Sequence, residues 1–238
     1  MQAQSAEGSA PARRAAAAVL FANGEGGRGS AEPPALTRAA GTSLLEVCTK
    51  TVERCDEIEG FVAVVPDGME DRVAGVVRES SKFLAAVPGG RSRRESVTAG
   101  LTAVPPRFDV VVCHDVARPL ASAELFARVV RALDDADAVV PQVPVGDTVK
   151  RVERGFVRET IPREGLGVVQ TPQGFRRHAL ATVGGGTDRT GTSMHDLSFL
   201  VGAGLRVVTV PGEPANIEVR TMEDLRLVER LLAATHPG

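Results

Sequence analysis

The sequence predicts an α/β fold, a doubly wound sheet with helices on both faces, and three observations predict it. Apolar runs recur along the chain at 15–22, 61–66, 108–115 and 137–145, and segments of helical spacing lie between them. The runs are apolar at successive positions, so both faces of each strand need cover. Alternation of strand and helix implies right-handed crossovers and three layers, helix, sheet and helix. The chain has 238 residues, which suits one such domain. Apolar residues make up 43% of it but aromatics only 3%, with no Trp and no Tyr, so aliphatic side chains must fill the core.

The elements follow in order. Residues 1–14 are small and polar and are expected to be a disordered tail, leaving 15–238 as the single domain. The run 15–22 is the first strand. Glycines break it too soon for a membrane span, and no cleavage-like region follows it. Residues 42–56 place Leu44, Leu45, Cys48 and Val52 on one helical face, with Thr42 or Ser43 as N-cap. A strand is expected at 61–66, a helix over 69–83 and a short strand near 84–87. GGRSRRESV at 89–97 leads into a helix that runs to about 104. FDVVVCHD at 108–115 is the clearest strand. A helix over 122–134 and a strand over 137–145 follow. Between about 146 and 172, short β-like runs around glycines suggest a hairpin or arm leaving the sheet. Helices are expected near 174–182 and 193–202, then the strand RVVTVPG, the string NIEV, and a final helix capped by Thr221 with Glu223 and Asp224 in its first turn.

Bulk chemistry narrows the function. A net charge of −2 argues against nucleic-acid binding driven by overall charge. Cys48, Cys55 and Cys113 show neither CxxC nor zinc spacing and read as buried reduced thiols of a cytoplasmic protein. No segment reads as a membrane anchor.

Four stretches carry chemistry. The loop ANGEGGRGSAEPPALTR at 22–38 follows the first strand with Gly24, Gly26, Gly27 and Gly29. Its backbone N–H groups can face an anion and Arg28 adds a charge that pairs bidentately with phosphate. Glycines also make ordinary turns, and the first lysine of the chain is Lys50, well beyond the loop. The second stretch, GGRSRRESV, is either an N-cap with a solvated basic face or a wall of the same site. The third is CHDVARP at 113–119, where Asp115 ends a strand. In open α/β sheets the ligand crevice lies beyond such strand ends, and a carboxylate near phosphates is a natural Mg²⁺ ligand. His114 there reads as structural. The fourth pairs GDTVK with QTPQGF, offering the hydroxyls of Thr148 and Thr171 and the charges of Lys150 and Arg163.

Taken together, ANGEGGR, GGRSRRESV, HDVARP, DTVKR, PREGLGVVQTPQGF and NIEVRTMEDLRLVE, in this order, resemble the 2-C-methyl-D-erythritol 4-phosphate cytidylyltransferase family. The resemblance covers Ala15 to Leu232, and the ribitol-5-phosphate cytidylyltransferases share most of these strings. It implies a Rossmann-like, glycosyltransferase-A-like nucleotidyltransferase domain whose β-arm joins a homodimer. It also implies CTP, Mg²⁺ and a sugar-alcohol phosphate whose oxygen attacks the α-phosphorus of CTP, releasing pyrophosphate. Carried over by position, Ala22, Asn23, Gly24, Gly26, Gly90, Arg91, Ser96 and Val116 contact the nucleotide. Arg28 stabilises the transition state and Asp115 serves metal and substrate. Thr148, Thr171 and Arg163 of the partner's arm meet the substrate phosphate, Arg163 with a catalytic role.

The chain departs from that pattern at two cations. Ala35 stands where the family has a lysine after its glycine loop, and Glu218 stands where NIK is expected. Asn23 replaces an alanine, Arg91 an acidic or small residue, and TDR at 187–189 and TSMHD at 192–196 each match a TDDA-like string imperfectly. Losing one preorganised donor typically costs about 2.7–4 kcal/mol of transition-state stabilisation. Arg38 and Arg220 are the cations placed to compensate, Arg220 on the same face as Glu218 if the segment is extended. Three functional readings follow: an active methylerythritol-phosphate cytidylyltransferase, a catalytically degenerate paralogue that binds or regulates, or a nucleotidyltransferase for another acceptor such as ribitol 5-phosphate.

Overall fold

A computed structural model describes residues 15–23, 36–180 and 198–235. The expected tail 1–14, most of the glycine loop with Gly24, Gly26, Arg28 and Ala35, and the strings at 187–189 and 192–196 lie outside the described residues.

The elements are β1 (Ala16–Phe21), β2 (Arg38–Ala39), β3 (Thr42–Ser43), α1 (Leu44–Arg54), β4 (Ile58–Val65), α2 (Glu70–Val77), β5 (Phe83–Pro88), α3 (Arg93–Ala103) and β6 (Val110–Asp115). There follow α4 (Ala123–Ala132), β7 (Ala138–Pro144), β8 (Val149–Glu153), β9 (Phe156–Ile161), β10 (Gly167–Val169), β11 (Gln173–Arg176), α5 (Ser198–Gly202), β12 (Val207–Pro211) and α6 (Met222–Thr235). Ser43 and Ser92 close capping boxes with Glu46 and Glu95, which satisfies the first amides of α1 and α3. Thr221 accepts from the Asp224 amide while Asp224 accepts from the Thr221 amide, the same device at the start of α6.

One eight-stranded sheet runs in the order β10-β7-β11-β6-β1-β4-β5, with β12 parallel to β7 along its other edge. β1 sits at the centre, parallel to β4 on one side and β6 on the other. Its side chains alternate between two cores. Ala16, Ala18 and Leu20 join the cluster under α1, α2, α4 and α6, whereas Ala17, Val19 and Phe21 join a cluster with Val97, Phe108, Phe175 and Leu200. The three-layer expectation rests on that alternation.

Two segments differ from expectation. Residues 173–176 form a strand, not a helix, antiparallel to both β6 and β7. Phe175 turns into the second core, and Gly174 on the other face leaves room for α4. Hence the sheet is mixed, and helical backbone starts only at residue 177. A Cβ on Gly174 would lie 2.6 Å from Val129 Cγ1 and 2.9 Å from Leu133 Cδ1. Gly174→Val is therefore expected to destabilise the fold by about 1–3 kcal/mol, the usual cost of overpacking. Urea unfolding measures this, and an unchanged midpoint would mean that α4 does not pack here. The second difference is the arm. β8 and β9 form a separate hairpin, but β10 returns to pair with β7, so the hairpin is confined to 149–161. The string NIEV carries no regular secondary structure and lies against the 115–118 loop through Val219 N–H to Ala117 O at 2.7 Å.

Candidate active site

The chain visits β4 and β5 on one side of β1 and then crosses to β6 on the other, so a topological switch point falls between β1 and β6. Phe21 and Asp115 are partners there at the carboxyl ends of the two strands. The exits are fastened by main-chain bonds. Ala22 N–H donates to Val64 O at 2.8 Å, Gly89 N–H to Val65 O at 2.7 Å, and Val116 N–H to Phe21 O at 3.1 Å. Three loops thus leave the sheet at one place: Ala22–Asn23, Gly89–Ser96 and Asp115–Arg118. Ala22 and Val116 are fully buried and act through backbone only.

The first wall is built around Ser96, which is 1% exposed. Its hydroxyl accepts from Asn23 Nδ2 at 2.7 Å and from Gly90 N–H at 3.2 Å, and donates to Ser92 O at 3.0 Å. Close approach explains the Gly-Gly pair. A Cβ on Gly89 would sit 2.1 Å from Asn23 Nδ2, and one on Gly90 would sit 2.1 Å from Glu95 Cβ. Arg91 N–H donates to Glu95 Oε2 at 2.6 Å, and the residue itself is exposed. Among the described residues the buried Asn23 Oδ1 has no hydrogen-bond partner, a costly state for an amide carbonyl unless a ligand donor meets it.

Asp115 forms the second wall. Its Oδ1 accepts from Ala117 N–H at 2.9 Å, and its own amide donates to Thr171 Oγ1 at 3.1 Å. Thr171 is fully buried, and its hydroxyl also lies 3.1 Å from His114 Nδ1. The structure therefore gives Thr171 a positioning geometry beneath Asp115, with no surface of its own to offer a ligand. Asn216, also fully buried, donates from Nδ2 to Thr171 O at 2.8 Å, and Gln170 Nε2 donates to Glu213 O at 2.8 Å. Among the described residues no three His, Cys, Asp or Glu side chains gather around a metal. A single carboxylate is the donor count that suits Mg²⁺ when phosphates and water complete its shell.

His114 is buried against Phe126, ring centroids 5.0 Å apart, and its Nε2 faces Cys48 Sγ at 3.8 Å. Burial pushes its pKa from 6.5 down to about 3, so it is neutral in the folded protein. All three cysteines are free and buried, as expected, and burial raises the Cys48 and Cys55 thiol pKa values. The unfolded chain protonates His114 near pH 6.5, while the folded protein holds it neutral to about pH 3. The associated stability is complete above pH 6.5 and is lost as pH falls through that window. Its slope is up to about 1.4 kcal/mol per pH unit. His114→Gln is expected to flatten the urea-midpoint profile between pH 7 and 5. Parallel profiles for the two proteins would show that His114 is not held neutral.

The third wall was not foreseen from the residues. Arg118 is buried, and its guanidinium donates to Asn216 O at 3.0 Å and to Glu218 Oε2 at 2.9 Å. Arg220 Nη2 donates to the same Glu218 oxygen at 2.7 Å. Burial lowers the Arg118 pKa, opposed by the charges of Glu218 and Asp115. The Glu218 hydrogen bond and charge raise that of Arg220, with Asp115 contributing. Glu218 is therefore not a bare anion in the crevice. Arg118 stands inside HDVARP, and the string itself was the signal that could have found it.

Thr148 and Arg163 lie elsewhere. Thr148 is exposed just before β8, and Arg163 Nη1 donates to Gly146 O at the base of the hairpin. Arg163 lines an open cleft of about 710 Å³ with Gln142, Glu164 and Thr209, and the lining includes none of Asp115, Thr171 and Ser96. Lys150 Nζ donates to Thr160 Oγ1 at 2.6 Å across the hairpin.

The family model described as IspD: 2-C-methyl-D-erythritol 4-phosphate cytidylyltransferase matches residues 16–234. The chain is 38% identical over 225 residues to the 2-C-methyl-D-erythritol 4-phosphate cytidylyltransferase of Frankia casuarinae, covering 93% of this chain and 83% of that one. It is also 38% identical to the bifunctional enzyme IspD/IspF of Anaeromyxobacter dehalogenans, covering 91% of this chain but spanning only 56% of that relative. Among solved structures, 4-diphosphocytidyl-2C-methyl-D-erythritol synthase from Anaerococcus prevotii is similar with a TM-score of 0.79 at 28% identity, over 92% of this chain and 98% of that one. The 2-C-methyl-D-erythritol 4-phosphate cytidylyltransferase of Thermus thermophilus gives 0.74 at 30%, over 90% and 97%.

Proposed function

The chain belongs to the 2-C-methyl-D-erythritol 4-phosphate cytidylyltransferase family, and from that membership we propose that it transfers the CMP group of CTP to 2-C-methyl-D-erythritol 4-phosphate, a step of isoprenoid precursor synthesis. The observation that carries the reading is the topological switch point between β1 and β6. The Ala22–Asn23 loop, the Gly89–Gly90 turn and Asp115 leave the sheet together at the carboxyl ends of β1, β5 and β6, within a match that runs nearly the whole chain.

In the reaction an oxygen of the acceptor phosphate forms a bond to the α-phosphorus of CTP as the bond to the bridging oxygen of the β-phosphate breaks, and pyrophosphate leaves with that electron pair. Catalysis of this kind is positioning and charge neutralisation. Asn23 and the Gly89–Gly90 turn hold the base. Thr171, held in turn by Asn216, fixes the backbone of Asp115. Asp115 is the residue that would hold Mg²⁺, which when bound supplies charge neutralisation to the phosphates. Arg28 adds a cation from the glycine loop by family position. The β8–β9 hairpin leaves Val152, Phe156 and Val157 largely exposed, an apolar surface suited to a second copy. A homodimer would carry Arg163 and Thr148 of the arm to the partner's site. CTP and the sugar-alcohol phosphate are then its partners, without nucleic acid or membrane, and cytoplasm is its location. No helix among the described residues is long and apolar enough to cross a membrane.

Acceptor identity is tested by turnover with 2-C-methyl-D-erythritol 4-phosphate and ribitol 5-phosphate at equal concentration. The expected kcat/KM is at least about tenfold higher for the former, a preference of the size that one or two polar contacts supply. The opposite ratio would assign the chain to the other polyol.

A further inference from the structure

We propose that Arg220 is the cation that meets a substrate phosphate on the Asp115 side of the crevice, and that Glu218 is the positioning residue that holds it there. The inference rests on the cytidylyltransferase reading and deepens it. Glu218 Oε2 accepts from Arg118 Nη2 at 2.9 Å and from Arg220 Nη2 at 2.7 Å. The three side chains grade outward from buried to solvent, 11% exposed for Arg118, 26% for Glu218 and 72% for Arg220. Together they carry one net positive charge, presented at the outer end by Arg220. Arg118 N–H donates to Asp115 O at 2.9 Å and Val219 N–H, between Glu218 and Arg220, donates to Ala117 O at 2.7 Å, so the triad lies on the Asp115 side of the site.

The local backbone explains why this cation needs an anchor. Arg220 precedes the first turn of α6, and its amide donates to Asp224 Oδ2 at 3.0 Å, which fixes the main chain. Its long side chain would otherwise sample many rotamers. Glu218, two residues earlier, engages one terminal nitrogen, while Nε and Nη1 make no hydrogen bond among the described residues. That leaves part of the planar donor fork directed at solvent, the arrangement that suits a phosphate oxygen pair. Arg118 serves the other end. Its bonds to Asn216 O and Glu218 lock the carboxylate in place, so the anchor itself cannot swing toward the substrate. A lysine at position 218 would stand between two guanidinium groups and repel both.

The test is a set of four variants, Arg220→Ala, Glu218→Gln, Glu218→Lys and Glu218→Lys with Arg220→Ala. Each is assayed for turnover with CTP and 2-C-methyl-D-erythritol 4-phosphate, for binding of each substrate by calorimetry, and for melting temperature. Arg220→Ala is expected to raise KM and weaken binding about ten- to a hundredfold for the substrate whose phosphate it meets, the size of a lost charged hydrogen bond, with the melting temperature nearly unchanged. A rise confined to CTP assigns the triphosphate and one confined to the acceptor assigns its monophosphate. Glu218→Gln is expected to give a smaller effect of the same kind. Glu218→Lys alone is expected to be the worst, and adding Arg220→Ala to it is expected to restore activity. Unchanged KM and binding in Arg220→Ala would overturn the proposal, as would Glu218→Lys performing as well as the unsubstituted chain. Absence of turnover in the unsubstituted chain would instead remove the functional reading, before any variant is compared.

Discussion

Asp115→Asn is expected to lower kcat by about a hundred- to a thousandfold, the loss usually seen when one preorganised charge contact is removed from a transition state. The substitution is nearly isosteric. The Thr171 bond to the 115 amide remains, and an Asn oxygen can still accept from Ala117 N–H, so the loop keeps its shape. What disappears is the carboxylate charge at the end of β6, the group proposed to hold Mg²⁺ there. The assay is pyrophosphate release at saturating substrates, with melting temperature confirming a folded variant. A kcat within about threefold of the starting protein would remove Asp115 from the catalytic machinery, since so small a change is well under 1 kcal/mol.

Arg118→Ala is expected to cost both stability and activity. Breaking a buried ion pair by deleting one partner typically costs about 3–5 kcal/mol. Here Glu218 keeps Arg220 and is a quarter exposed, which reduces the penalty to about 2–3 kcal/mol. Asn216 O loses its guanidinium donor as well, and the segment 216–220 loses one of its ties to the 115–118 loop. Urea unfolding should show the lower midpoint, and kcat/KM should fall at temperatures where the variant is fully folded. A change below about 0.5 kcal/mol would mean that the pair is a surface contact of no structural weight.

The parts of this molecule that were legible in its sequence are those in which neighbours along the chain decide the outcome. Residues 16–21 and 110–115 are apolar at successive positions, and that alone marks strands covered on both faces. Ser43 and Thr221 cap helices through residues three positions away. The strand ending at Asp115 was legible too, and a strand end in an open α/β sheet is where ligands sit, which is why Asp115 was singled out. Illegible features depend on partners far away in the chain. Gln173–Arg176 is a strand because β6 and β7 leave a gap between them, yet Thr171-Pro172-Gln173-Gly174 reads locally as a break. The apolar spacing of Phe175, Ala179 and Leu180 resembles a helix. Glu218 read as a carboxylate facing the ligand, since its pairing with Arg118 spans 100 residues. Thr171 offered a hydroxyl on paper, but its depth beneath Asp115 follows from the crossing of two loops that no local pattern records.

The most direct test of the central claim is pyrophosphate release and product mass from the protein incubated with CTP, 2-C-methyl-D-erythritol 4-phosphate and Mg²⁺. Pyrophosphate is expected in equal amount to a cytidylylated acceptor, requiring both substrates and strongly reduced in Asp115→Asn. Pyrophosphate without that product, or CTP binding with neither, would contradict it.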